Sequence, residues 1–250
     1  MTAVILAAGY ATRLYPLTLA TAKPLLDLAG RTILDRILEN VARVPTLRSV
    51  VVVSNARFYD QFCCWASTAD YGVPVTVLND GSTDNTDRLG ALADLQFAVR
   101  RCGISDNTMV IAGDNLFDFE LAEFAAFFAA VGADCIAVGK VDDPAQLRRT
   151  GVVELDADRR VVSFEEKPAE PRSHWGAPPL YLYRAATLQQ PLDEFLRSGA
   201  DADAPGAFVP WLIERGRVYA YRFEGARHDI GTLESYRAAQ ALFAARVAAR

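Results

Sequence analysis

Near the start of the chain, a glycine turn and two cations have the types and spacing to hold a phosphate. Residues 3–8 read AVILAA, and this apolar run ends in Gly9. A buried strand that ends in such a turn leaves backbone N–H groups at the carboxyl edge of a sheet, where α/β proteins bind nucleotides. Arg13 adds a guanidinium suited to phosphate oxygens, and Lys23 follows in AKPLL. The segment is neither a P-loop nor a dinucleotide fingerprint, because the other glycines of those motifs are absent.

A carboxylate that could bind a metal follows a later apolar run. Residues 108–112 predict a strand, and Gly113 and Asp114 come directly after it. At the carboxyl end of a parallel strand, Asp114 would point into the same crevice as the Gly9 turn. Mg²⁺ takes one or two carboxylates and completes its shell with phosphate oxygens and water. Asp114 is therefore a candidate magnesium ligand, although an aspartate here could also simply cap a turn.

The composition fits a globular enzyme and argues against other classes. The chain has 250 residues, 51% of them hydrophobic, which is enough for a sizeable core. A net charge of −5 without a basic stripe argues against nucleic-acid binding, so local cations must hold any anionic ligand. We find no signal-peptide or membrane-spanning pattern and expect no membrane partner. Four cysteines without C-x-x-C spacing predict reduced thiols in a cytoplasmic protein.

Strands alternate with helices through the first part of the chain, which predicts a doubly wound, mainly parallel α/β sheet. The apolar run 73–78 is typical of a parallel strand covered on both faces. The predicted strands are 3–8, 49–54, 73–78, 108–112 and 134–139, and the predicted helices are 32–43, 58–69, 90–101 and 120–130.

The later part of the chain has a different pattern. Residues 151–156 and 160–165 flank a polar turn and predict a β-hairpin. Beyond the hairpin we predict strands at 180–183 and 217–223 and helices at 185–197, 207–215 and 233–249.

The strings LAAGYATRLYPLT and AKPLL resemble the signature of the sugar-1-phosphate nucleotidyltransferases, in particular the short thymidylyltransferase-like members without a C-terminal β-helix. The resemblance implies a Rossmann-like fold in one domain, with a nucleotide-binding half at about 1–140, a sugar-phosphate half at about 141–236 and a helix end at 237–250. Ala11 stands where the family more often has glycine, and alanine is poor at positive φ. The nucleotide site that the resemblance implies comprises Leu6, Ala7, Ala8, Gly9, Thr12, Arg13 and Asp114, with Asn79 and Gly90 near the base.

Three further blocks extend the resemblance to about residue 236. Gly113-Asp114-Asn115 resembles the family's G-D-N, and RHDIGT resembles W-x-D-x-G-T, with Arg227 in place of the aromatic residue. The resemblance implies that Asp114 and Asp229 together hold Mg²⁺. In FEEKP it implies that Lys167 binds the phosphate of the acceptor and Glu166 the sugar hydroxyls, while Gly151 lets the sugar approach the backbone.

The implied reaction transfers a nucleotidyl group from a nucleoside triphosphate to a sugar 1-phosphate and releases pyrophosphate. The catalytic residues would be Arg13, Lys23, Asp114, Lys167 and Asp229. Three alternatives stay open: a phosphocholine-type cytidylyltransferase, a nucleotide-sugar-dependent glycosyltransferase that uses a D-x-D motif, and a non-enzymatic ligand sensor. The sequence leaves the base, the sugar and the choice between monomer and homodimer undetermined.

Overall fold

The computed structural model of the protein describes residues 1–248 and consists of a sheet flanked by helices. The strands are β1 (Thr2–Leu6), β2 (Ser49–Ser54), β3 (Val75–Asn79), β4 (Thr108–Ala112), β5 (Asn115–Phe117), β6 (Asp134–Lys140), β7 (Gly151–Leu155), β8 (Val161–Glu166), β9 (Trp175–Ala177), β10 (Leu180–Tyr183), β11 (Val218–Arg222) and β12 (Arg227–Asp229). The α-helices are α1 (Ile33–Val41), α2 (Tyr59–Thr68), α3 (Ala91–Cys102), α4 (Leu121–Val131), α5 (Pro144–Leu147), α6 (Gln190–Arg197), α7 (Phe208–Arg215) and α8 (Leu233–Ala248).

Ten strands form one sheet in the order β3-β2-β1-β4-β10-β6-β9-β7-β8, and β11 also pairs with β6. β1 is parallel to both β2 and β4, whereas β10 runs antiparallel between β4 and β6. The remaining pairings show that seven of the ten strands run in the same direction, whereas β8, β9 and β10 run in the opposite direction. The predicted doubly wound, mainly parallel sheet is confirmed.

Helices pack on both faces of the sheet because successive strand residues point to opposite sides. In β1, Ile5 belongs to the core that includes α1, α2 and α4, whereas Val4 belongs to the core that includes α3, α6 and α7. α1 begins at a capping box, in which Thr32 and Asp35 each accept a hydrogen bond from the other's backbone N–H. These two cores fix the positions of the strand ends that carry the site.

Two strand predictions need correction. The first strand ends at Leu6 rather than at residue 8, so Ala7 and Ala8 belong to the turn. The interpretation of 73–78 as a strand covered on both faces is wrong, because β3 is the edge strand beside β2 and its residues are half-buried or exposed. An apolar run indicates that a strand forms there, but the number of its neighbours depends on the rest of the sheet.

The predicted hairpin is confirmed as β7 and β8, which pair antiparallel. The sequence does not predict β5, β9 or β12, since each is three residues long and depends on a distant partner. The predicted helix 185–197 divides into a 3-10 turn at Ala185–Leu188 and α6. Residues 249–250, at the end of the predicted terminal helix, lie outside the described residues.

None of the helices within residues 1–248 combines the length and apolar character that a bilayer crossing requires.

Candidate active site

A cavity of about 340 Å³ lies where β1 and β4 end at the same edge of the sheet. The Gly113 N–H donates to the Leu6 carbonyl at 2.8 Å, which ties the two strand ends together. Eight of the residues predicted from the sequence line this cavity: Leu6, Ala7, Ala8, Gly9, Arg13, Lys23, Gly90 and Asp114. Thr12 and Asn79 are exposed and lie outside its lining, and the Asn79 amide oxygen accepts the Gly81 N–H at 2.8 Å within its own loop.

The turn after β1 contains a left-handed backbone conformation, although the residue at that position is an alanine and not a glycine. Ala11 has a φ of 48° and a ψ of 44°, in the left-handed region where glycine is usual. The Thr18 hydroxyl donates to the Ala11 carbonyl at 2.8 Å and helps to hold this conformation. The alanine therefore keeps the left-handed turn, at a cost of roughly 1 kcal/mol. Arg13 follows in a 3-10 turn and faces the cavity.

Lys23 and Asp114 form the ion pair at the cationic end of the cavity. The Lys23 ammonium lies 2.5 Å from Asp114 Oδ2, and the Asn115 amide donates to Oδ1 at 2.6 Å. Burial pushes the pKa of Asp114 up, but the charge and hydrogen bond of Lys23, together with Asn115, outweigh it and lower the pKa below its usual value. Asp114 is therefore an ionised carboxylate with a cation already beside it.

The last strand brings Asp229 to the same place. β12 pairs antiparallel with β5, so Asp229 lies opposite Asn115, and the Ile230 N–H donates to the Asp114 carbonyl at 3.1 Å. A side chain at Gly231 would lie 3.5 Å from Asp229 Oδ1 and 3.7 Å from Arg13 Nη2, so the acid and the cation flank this glycine. The fold thus brings together two acids that are distant in the sequence, beside Arg13.

Arg227 is a site residue whose role the sequence does not predict. Its guanidinium donates to Asn115 Oδ1 at 2.5 Å, to Asp229 Oδ2 at 3.2 Å and to Thr150 Oγ1 at 3.4 Å. It therefore links Asp229 to the first residue of β5 and to the residue before β7. Its replacement of an aromatic residue within RHDIGT is the one sequence signal that singled it out.

The residues predicted to bind the sugar phosphate lie at the end of the β7–β8 hairpin. Gly151 pairs with Glu166, and the Lys167 ammonium lies 3.7 Å from Glu166 Oε1. Burial is the main cause that raises the pKa of Glu166, with Lys167 and Arg227 opposing it. A side chain at Gly206 would meet Glu166 Oε2 at 2.6 Å, so the loop before α7 covers this carboxylate. Gly151, Glu166, Lys167 and Asp229 do not line the 340 Å³ cavity itself.

The remaining part of the cavity wall is formed by residues at the start of α3 and in the loop before α7. Gly90 precedes α3 with a φ of 94°, and a side chain there would lie 3.1 Å from the Ala202 carbonyl. Arg88 pairs with Asp203 at 2.7 Å, and both line the cavity together with the buried Asp94. Asp94 is a second site residue that the sequence does not single out.

The fold and the site together define an α/β protein with a cavity at the carboxyl edge of its sheet, lined by Arg13 and Lys23. The nucleotidyl transferase family model matches residues 2–246, and the chain belongs to this family. Glucose-1-phosphate adenylyltransferase of Trichlorobacter lovleyi is 26% identical over 94% of this chain and 63% of its own length, and the Shewanella frigidimarina protein of the same name is 29% identical over 94% and 61%. The chain thus spans somewhat over three-fifths of these relatives.

Solved structures share the fold. A Bacillus anthracis protein, assigned as a glucose-1-phosphate thymidylyltransferase and bound to sucrose, superposes with a TM-score of 0.83 at 23% identity, over 98% of this chain and 96% of its own. A UDP-glucose pyrophosphorylase in complex with UDP-glucose also gives 0.83, at 16% identity over 98% of both chains.

Proposed function

We propose that the protein transfers a nucleotidyl group from a nucleoside triphosphate to a sugar 1-phosphate, giving a nucleoside-diphosphate sugar and pyrophosphate. The observation that carries this proposal is the assembly of Arg13, Lys23, Asp114 and Asp229 at one edge of the sheet, from both ends of the chain. Family membership and the relatives named above support the same reaction.

The chemistry follows from the charges. A sugar 1-phosphate is already an anionic nucleophile, so its oxygen needs no general base to attack the α-phosphorus as pyrophosphate leaves. The barrier is mainly the positioning of two polyanions and the repulsion between them. Arg13 stabilises the leaving pyrophosphate and the charge on the α-phosphate. Lys23 binds the triphosphate, and Lys167 holds the incoming phosphate beside Glu166, which takes sugar hydroxyls.

Asp114 and Asp229 suit a magnesium ion. Both supply the hard oxygen ligands that Mg²⁺ prefers, and it needs only one or two of them when phosphate oxygens complete the shell. The Lys23 ammonium on Asp114 Oδ2 supports this assignment, because this carboxylate already pairs with a cation. The ion would neutralise phosphate oxygens when bound.

The glycosyltransferase alternative requires a pair of acids free to bind a metal, and the pairs in question are Asp156-x-Asp158 and Asp142-Asp143. The contacts of both pairs disfavour this alternative. Asp156 Oδ1 accepts the backbone N–H groups of Asp158 and Arg160 at 2.9 and 2.8 Å, so Asp156-x-Asp158 closes the hairpin turn. Asp143 accepts the Ala145 N–H at the start of α5, and Asp142 lies 3.5 Å from Lys140.

We propose the cytoplasm as the compartment, because all four cysteines are free thiols.

Pyrophosphate release tests the proposal. The enzyme is supplied with Mg²⁺ and a matrix of nucleoside triphosphates against hexose and heptose 1-phosphates, with CTP and phosphocholine as a further pair. We expect turnover with at least one sugar phosphate and a loss of about a hundredfold or more in Arg13→Ala and Asp114→Ala. Arg43→Ala is the control, since Arg43 forms an exposed pair with Glu120. Near wild-type rates in either site variant would remove that residue from the mechanism. Turnover of phosphocholine but of no sugar phosphate would overturn the proposed substrate.

A further inference from the structure

Asn55 lies directly after β2, and its side chain is fully buried against the turn that follows β1. Its Nδ2 donates to the Ala8 carbonyl at 2.9 Å, and its Oδ1 accepts the Phe58 N–H at 3.0 Å. Because both ends of the amide have a backbone partner, the amide is held in one orientation. Ala8 lines the cavity, whereas Asn55 does not. Asn55 therefore contacts the wall of the cavity from the protein interior.

The contact with Ala8 fixes the direction of the next N–H group. The peptide bond between Ala8 and Gly9 is trans, since the cis bond within residues 1–248 is Tyr15–Pro16. In a planar trans peptide, the C=O and the N–H point in opposite directions. The Ala8 carbonyl points to Asn55 in the interior, so the Gly9 N–H points away from it, towards the cavity that Ala8 and Gly9 line.

The surroundings of Gly9 leave room for a ligand at this N–H. Gly9 is exposed, and a side chain placed there would meet no atom within 4 Å. No carbonyl within residues 1–248 accepts the Gly9 N–H. The donor therefore faces open space in the same cavity as the cations Arg13 and Lys23.

We propose that Asn55 is a positioning residue, which orients the Ala8–Gly9 peptide so that the Gly9 N–H donates to a phosphate oxygen of the bound nucleoside triphosphate. The inference rests on the nucleotidyl transfer proposed above. A donor that is oriented before the ligand arrives needs no reorganisation when the ligand binds. Without the Asn55 amide the peptide can rotate, and a carbonyl oxygen that turns to the cavity would repel phosphate.

Other contacts hold the turn on either side of this peptide. The Ala7 N–H donates to the Val53 carbonyl at 2.9 Å, and the Thr18 hydroxyl donates to the Ala11 carbonyl at 2.8 Å. Neither contact involves the peptide between Ala8 and Gly9. Loss of the Asn55 amide should therefore leave the end of β1 and the left-handed turn in place, and release only the peptide between them.

Asn55→Ser removes the contact with Ala8 without burying a charge. Serine is too short to reach both backbone partners of Asn55. Its hydroxyl can still accept the Phe58 N–H, three residues further on, as the Thr32 hydroxyl accepts the Asp35 N–H at 3.0 Å. The variant thus separates the contact with the cavity wall from the contact that holds the turn after β2.

Calorimetric titration and steady-state kinetics measure the effect of this variant. ATP, CTP, GTP, UTP and dTTP are titrated with Mg²⁺ and no sugar phosphate. We expect the triphosphate that the wild type binds best to bind Asn55→Ser about tenfold more weakly, or by about 1.4 kcal/mol. In the pyrophosphate assay, the KM for that triphosphate should rise, whereas the KM for the sugar 1-phosphate should stay unchanged.

Asn40 offers a matched control, because its amide also joins a carbonyl to an N–H. Its Nδ2 donates to the Phe119 carbonyl at 2.8 Å, and its Oδ1 accepts the Leu121 N–H at 2.9 Å. Asn40 is not part of the cavity lining. Asn40→Ser should therefore lower the urea midpoint but keep the triphosphate affinity and both KM values of the wild type.

Amide hydrogen exchange, resolved by NMR, tests the direction of the Gly9 N–H in the wild type and so needs no folded variant. This N–H should exchange rapidly in the free protein, because it faces open space. It should become protected when the triphosphate and Mg²⁺ bind.

Three results would overturn the inference: wild-type triphosphate affinity in folded Asn55→Ser, an equal rise of both KM values, or a Gly9 N–H that the triphosphate does not protect. Each would leave the proposed function intact if the wild type still releases pyrophosphate. A wild type that binds no nucleoside triphosphate would end both proposals.

Discussion

Replacement of Arg227 by methionine should weaken both the fold and the reaction, because this one side chain holds three acceptors. Methionine keeps much of the length and apolar stem but removes the charge and all donors. The Arg227 side chain is 22% exposed, and its partner Asn115 is fully buried. A hydrogen bond from a charged group to a buried acceptor contributes about 1.5–3 kcal/mol. The pair with half-exposed Asp229 adds at most about 1 kcal/mol, because solvent screens it.

These contributions predict a loss of about 2 kcal/mol in the free energy of unfolding, measured by urea denaturation. Arg227 also fixes Asp229 opposite Asn115. If the reaction depends on that geometry, losing a similar 2 kcal/mol in the transition state lowers kcat/KM about 30-fold. Arg227→Lys keeps the charge but cannot reach three acceptors with one planar group, so its kcat/KM should fall between the two.

The control is Arg43→Met, which makes the same change at an exposed ion pair with Glu120. It should cost no more than about 1 kcal/mol and leave pyrophosphate release unchanged. If Arg227→Met matches Arg43→Met in both urea midpoint and kcat/KM, the assigned positioning role of Arg227 is refuted. A loss of stability alone would restrict Arg227 to the fold.

Two further variants test the energetics of the same structure. The pKa of Asp94 is raised from an unfolded value of roughly 4 to about 8, so between these pH values the native state binds an extra proton and its stability falls as pH rises. Asp94→Asn lacks this titration, so its stability relative to the wild type should increase between pH 5 and pH 8. An equal difference between the two urea midpoints at pH 5 and at pH 8 would contradict this. Thr32→Ala removes the capping box of α1 and should cost about 1 kcal/mol in urea denaturation, whereas exposed Thr46→Ala should cost almost nothing; equal midpoints would show that the cap contributes nothing.

Long elements with a regular apolar pattern could be predicted from the sequence, because burial of one face decides them locally. β2 and β4 have the predicted bounds, and α1 differs by a residue or two at each end. β5 and β12 could not be predicted, since three residues carry no periodic pattern and the pair forms through contacts between Asn115 and Asp229. The prediction that β3 is covered on both faces was wrong for a related reason. Its position at the edge depends on the order of all the strands in the sheet.

The same distinction separates the predicted from the unpredicted site residues. Gly9, Arg13 and Asp114 follow strand ends, so their meeting at one sheet edge could be inferred from the parallel topology. Asp94 could not be found in this way, because it lies within helix α3 and not at a strand end. Nor could the role of Arg227, whose partner Thr150 precedes β7 in another part of the chain.

The network around Asp114 bears on how an acidic protein could bind the two polyanions of the proposed reaction. Lys23 joins Asp114, Asn115 links Asp114 to Arg227, and Arg227 joins Asp229. Each cation in this chain of contacts already has an acidic or amide partner, so the net charge of −5 does not measure the local field. For a phosphate to bind Lys23, the ammonium has to share or leave Asp114. If Asp114 holds Mg²⁺, as proposed above, the ion would supply the positive charge that this carboxylate loses when Lys23 turns to a phosphate.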